Sequence, residues 1–160
     1  MDQSAAAEFL RHSLATLAYR GAKTLRDAPA DFAAFRAAET TRTPAQILAH
    51  IGDLFDWAIS IADGQMKWHD SEPLPWPDEI DRFFRTLKQF DDRLASGVPL
   101  AISVEKLFQG PVADAFTHVG QLAMLRRMAG APVRGESYFM SRIATGQVGP
   151  DQPAPRREFD

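Results

Sequence analysis

The sequence predicts an all-α protein, and three observations carry that reading. Four stretches repeat apolar residues at the three-to-four-residue spacing of a helix face, proline and glycine punctuate the gaps between them, and one stretch opens on a strong N-cap signal. The length of 160 residues suits one domain, and a hydrophobic content of 45% is sufficient for a substantial core.

In the first stretch Leu10, Leu14, Leu17, Gly21 and Leu25 keep one face, and the helix is expected to end near Asp27-Ala28-Pro29. His12 falls on the opposite side and is read as solvated. The connection from Pro29 to Arg42 is long enough to hold a short extra turn and to line a site. Thr43 is a good N-cap and Pro44 a good first helical residue, so a second helix starts there and runs to about Asp63-Gly64. Its apolar stripe is Ile47, Ile51, Leu54, Ala58 and Ile61. His50 projects about 60° from Ile47 on the flank, while Asp53 and Asp56 lie further round toward the expected solvent face.

Residues 65–77 mix prolines with Trp68 and Trp76 and cannot form a continuous helix. The two tryptophans either cap the core or form the mouth of a pocket, and His69 reads as a surface residue. A third helix from about Pro77 to Ala95 turns Ile80, Phe83, Phe84, Leu87, Phe90 and Leu94 inward and stops at Ser96-Gly97-Val98-Pro99. Residues 101–108 read equally as a short helix or an irregular lid. Pro111 is expected to open the fourth long helix after Gly110, with Gly130 closing it and Arg126 and Arg127 favouring its C-terminal dipole. Beyond it, Tyr138, Phe139, Met140 and Ile143 supply apolar anchors among breaking prolines and glycines. The division expected is a helical domain over 1–148 and an extended, proline-rich tail over 149–160.

The most informative residues lie on the fourth helix. At about 100° per residue, Asp114, His118, Gln121, Leu125 and Met128 share one stripe, so a line that ends as apolar core begins with a carboxylate, an imidazole and an amide. Burying such groups costs several kcal/mol unless each is hydrogen-bonded, paired or bound to an ion. With His50 added from the second helix, two imidazoles and one carboxylate would face a divalent ion and leave coordination positions open. Gln121 reads as a hydrogen-bond partner that orients a ligand, and Gly120 as a site of close helix packing.

A His early in the second helix, followed by Asp114-Ala-Phe-Thr-His118-Val-Gly120-Gln121-Leu122 in the fourth, resembles the DinB/YfiT-like family of metal-dependent four-helix-bundle proteins over most of the chain. The resemblance implies a four-helix bundle with short accessory segments and an extended C-terminal tail. It also implies a single divalent ion on His50, Asp114 and His118, and a homodimer. Family members carry a second His where Asp114 stands, a departure that bears on metal choice because carboxylate is the harder ligand. Zinc is the first expectation, with nickel, iron or manganese as alternatives. The activities implied are thiol S-transfer, isomerisation or hydrolysis on a small molecule, with a thiol as cosubstrate. The alternative reading is a noncatalytic helical protein, either a small-molecule binder or an interaction protein, whose site is empty or structural. Taken singly, His50 fits a hydrogen-bonded boundary residue and Asp114 with His118 fits an i,i+4 ion pair.

Other chemistries lack their residues. The chain has no cysteine, hence no disulfide or thiolate nucleophile of its own. There is no phosphate-binding glycine loop, nucleophile elbow or His-Glu-x-x-His, and the absence of Glu-x-x-His argues against a carboxylate-bridged di-iron centre. A formal charge of −3 gives no field for nucleic acid. The N-terminal segment lacks the apolar stretch of a signal peptide and no apolar run reaches membrane-spanning length, so a cytoplasmic protein without a membrane partner is expected.

Overall fold

Helices α1 (Gln3–Leu25), α2 (Pro44–Ala62), α3 (Trp76–Ala95), α4 (Val104–Leu107) and α5 (Ala113–Met128) dominate the computed structural model, which describes residues 3–159. The first two residues of the expected domain and the last residue of the expected tail lie outside that range. The all-α expectation holds, with one addition: a two-stranded antiparallel ribbon pairs β1 (Gly135–Glu136) with β2 (Glu158–Phe159). No described helix is long and apolar enough to cross a membrane.

The four long helices form as their stripes dictate. Leu10, Leu14 and Leu17 of α1, Ile47, Ile51 and Phe55 of α2, Phe83, Leu87 and Phe90 of α3, and Ala115 and Leu122 of α5 are all buried in one continuous core. Helices α1 and α2 each pack against both α3 and α5. Phe55 lies between Phe83 and Phe90, with ring centroids 6.2 and 6.4 Å away, and Gly21 lets the Phe83 ring approach where a Cβ would lie 2.7 Å from it. An added methyl at Gly21 must displace that ring.

Helix α2 starts where the sequence places it. Thr43 accepts from the Gln46 N–H at 3.2 Å and Gln46 Oε1 accepts from the Thr43 N–H at 2.9 Å, a reciprocal cap that satisfies two otherwise orphaned donors. This fixes the register in which His50 and Asp53 point inward.

The fourth long helix departs from expectation. Gly110-Pro111 does not begin it: α4 is already capped by Ser103, and a π-helical turn over Phe108–Val112 joins α4 to α5 without a break. Proline cannot donate the regular i→i−4 bond, and the wider turn absorbs that loss. Five residues wound at π spacing rotate everything after them, so this turn helps set the direction of Asp114 and His118.

Four further expectations are corrected. Met128 is 54% exposed, since the stripe leaves the core after Leu125 at the end of α5. Gly120 faces open space and mediates no close packing. Arg126 is buried, and its guanidinium donates to the carbonyls of Thr24, Arg26 and Ala131, closing the C-terminal end of α1 as well as that of α5. Asp53 is buried rather than solvent-facing, for a reason that emerges at the site.

Residues 149–159 run back over α1. Glu136 accepts from Tyr19 Oη, Ser141 Oγ and Lys23 Nζ at 2.6, 2.6 and 2.8 Å, and Lys23 also reaches Glu158 at 2.6 Å. Burial would push the Glu136 carboxyl up, but these donors outweigh it and hold it below its ordinary value. Gly135 is required here, because a Cβ would lie 2.6 Å from the Phe159 ring.

Candidate metal centre

Helix α2 contributes His50 and helix α5 contributes Asp114 and His118, one turn apart. His50 Nε2 lies 3.5 Å from Asp114 Oδ2, and His118 Nε2 lies 3.4 Å from Asp114 Oδ1. One ligand atom from each residue falls within 4.8 Å of the other two, so the three sequence-predicted residues do converge on a group able to hold a metal ion. The spacing is informative. A tetrahedral ion with bonds of about 2.1 Å separates its ligand atoms by about 3.4 Å, while here each imidazole faces a different oxygen of Asp114. Neutral hydrogen bonds between the same atoms would be shorter, near 2.9 Å.

The imidazoles are arranged for such a role. Gln121 Oε1 lies 2.8 Å from His118 Nδ1, a contact in which the amide oxygen accepts from an Nδ1–H. The expected partnership of Gln121 with His118 is thus present as a hydrogen bond. The two rings stand nearly perpendicular, 4.8 Å apart. Burial, together with repulsion from His118 when that ring is protonated and from Arg42, pushes the His50 pKa below its ordinary value, and Asp114 only partly offsets this. A histidine held neutral near pH 7 is a better ligand than one that must first lose a proton.

The site is open on two sides. A groove of about 430 Å³ runs past His118 between Ile47, Met124 and Leu125, and a more polar recess of about 200 Å³ borders His50 and Asp53. Trp68 covers the centre between them. Its ring meets His50 edge-on at 5.6 Å and is itself met by Trp57 at 5.8 Å. Trp76 packs on Phe32 at 5.8 Å, so of the two tryptophans of this connection one borders the site and the other caps the core.

A second cluster of similar residues stands beside the first. Asp53, one turn after His50, joins Asp56 and His69 in a group whose atoms could also surround an ion. Here the position is already taken. Arg82 Nη2 reaches Asp53 Oδ1 at 2.5 Å and Asp56 Oδ2 at 3.0 Å, the Ser71 N–H and hydroxyl donate to Asp53 at 2.8 and 2.7 Å, and His69 Nδ1 lies 3.1 Å from Asp53. Burial would raise the Asp53 pKa, and Arg82 and Ser71 outweigh it, so the carboxylate stays ionised. Gly52 makes room for this guanidinium, which a Cβ would meet at 2.8 Å.

Helical periodicity alone sent Asp53 outward because Arg82 belongs to another helix. Neither Arg82 nor Arg42 carried a signal in the sequence. Trp68 was signalled only as one of two aromatic residues in a broken connection. Comparisons with protein-family models, curated proteins and solved structures give no match to this chain. Fold and site together define a predominantly helical protein with a two-histidine, one-aspartate group that could hold a metal ion.

Proposed function

We propose that this protein is a divalent-metal-dependent enzyme acting on a small molecule, built on a four-helix bundle of the DinB/YfiT-like type. His50, Asp114 and His118 are its metal ligands, and zinc is the preferred ion. The observation that carries this reading is the spacing of 3.4 and 3.5 Å between the Asp114 oxygens and the two imidazole nitrogens, with no cationic side chain among them. Three protein ligands are the number that catalytic zinc sites use. A bound ion would supply Lewis acidity, polarising an electrophile and making water or a thiol cosubstrate nucleophilic near neutral pH.

The rest of the chemistry belongs to the chain. Gln121 holds the His118 ring in the ligating tautomer, Trp68 screens His50 from bulk water, and the groove past His118 receives an apolar substrate body. S-transfer, isomerisation and hydrolysis all use these parts. Without a thiol of its own, the protein must take one from solution for the first of them.

Zinc titration followed by elemental analysis tests the reading on wild type, Asp114→Ala, Asp114→His and His118→Ala, each checked for folding by circular dichroism. One zinc per chain is expected in wild type, with loss in Asp114→Ala and His118→Ala. Asp114→His retains binding, with preference moved toward softer ions. Equal stoichiometry in all four proteins would leave the noncatalytic alternative, in which the site is empty or structural.

A further inference from the structure

The groove past His118 has an uneven charge. Its lining combines the apolar Ile47, Met124 and Leu125 with His118, Gln121, Thr41 and Arg42. No carboxylate lines it. Arg42 has neither hydrogen-bond nor ion-pair partner among the described residues, whereas Arg11, Arg82, Arg93 and Arg126 are all engaged by carboxylates or carbonyls. The recess on the His50 side also touches Arg42, but there Asp53, Asp70 and Glu72 share the wall. An anion is therefore repelled from the recess and accepted by the groove.

We propose that Arg42 anchors the carboxylate of a small amphipathic substrate whose apolar body lies along Ile47, Met124 and Leu125 in the same groove that His118 lines. Arg42 is exposed, and its guanidinium presents a planar pair of donors that matches a carboxylate in a way the point charge of a lysine does not. Charge at the centre acts in the same direction. Two neutral imidazoles and one carboxylate leave a divalent ion one net positive charge, to which Arg42 adds a second. The volume of about 430 Å³ lies within the range of small-ligand sites.

This substrate class rests on the proposed metal centre for its chemistry, but Arg42 can be tested apart from it. Octanoate and its neutral isostere octanamide serve as probes, titrated calorimetrically into the full-length protein after chelator treatment and again with zinc loaded. Octanoate is expected to bind the chelator-treated wild type about tenfold more tightly than octanamide. Arg42→Ala abolishes that preference and leaves octanamide affinity within about twofold, since only the charge-assisted contact is lost. Met124→Ala weakens both probes alike. Equal affinity of the two probes for wild type, absence of binding by either, or a preference that survives Arg42→Ala overturns the proposal, as does a Met124→Ala protein that binds both normally. A preference seen only with zinc loaded and indifferent to Arg42→Ala assigns the carboxylate to the ion and also overturns it. Failure of the protein to take up zinc, with the octanoate preference intact, overturns the metal reading alone.

Discussion

Two clusters of histidine and aspartate sit one turn apart on α2, and a single guanidinium separates their fates. Around Asp53, Arg82 completes the charge balance and Ser71 supplies two more donors, so the group is satisfied within the protein. Around Asp114 there is no such cation, and the nitrogens and oxygens stand 3.4 to 3.5 Å apart. Similar residue types thus make a closed structural network in one place and, in the other, an open group that could hold an ion. Identity and spacing of the acidic and imidazole residues do not distinguish them; the third helix does, because α3 reaches Asp53 and α5 supplies the open group.

Arg82→Met breaks the comparison most severely. It leaves Asp53 buried without its cation, and loss of one partner from a buried pair costs about 3–5 kcal/mol. Urea unfolding of the metal-free variant should show a destabilisation of that size. The same change frees Asp53, Asp56 and His69, so the folded variant is expected to bind a second zinc. A stoichiometry that stays at one would show that Arg82 is not what keeps this cluster closed to metal.

Gln121→Ala sharpens the other side. Removing the acceptor from His118 Nδ1 leaves the three proposed ligands in place but releases the ring, and loss of such an orienting partner lowers metal affinity about 10–100-fold. Competition against a chromophoric chelator measures this, and unaltered affinity would deny Gln121 its orienting role.

The smallest effect is in pH. The His50 pKa is lowered in the folded protein, so its contribution to stability is present above the unfolded value of about 6.5 and declines as pH falls through and below it. Asp53 and Glu136, also lowered, withdraw theirs only in more acid solution, below the ordinary carboxylate values near 4. The urea midpoint of metal-free protein should therefore fall from pH 7.5 to pH 5.5 in wild type and less in His50→Gln. Zinc affinity should fall over the same interval as protons compete for the imidazoles. Identical pH profiles for wild type and His50→Gln would remove His50 from this account.

Much of this was legible along single helices. The core faces of α1, α2 and α3, the Thr43-Pro44 start, the Gly64 and Gly130 stops, and the shared face of Asp114, His118 and Gln121 are local properties, set by periodicity and backbone chemistry within a few residues. Where local cues misled, the decisive partner was distant or the backbone departed from ideal geometry. Pro111 lies inside a π turn because α4 precedes it, and Arg126 turns inward because the end of α1 offers carbonyls. Asp53 is buried because Arg82 lies across from it on α3.

By itself, then, the sequence carried the extent and core faces of α1, α2 and α3 and the shared face of Asp114, His118 and Gln121. Only the tertiary structure decided that Asp53 is closed off by Arg82, that Trp68 and not Trp76 borders His50, and that Arg42 lines the groove beside His118 without a partner among the described residues. The physical reason is range. Helical periodicity acts over three or four residues, whereas an ion pair or a ligand set joins residues tens of positions apart, and its satisfaction depends on which helix happens to deliver the countercharge.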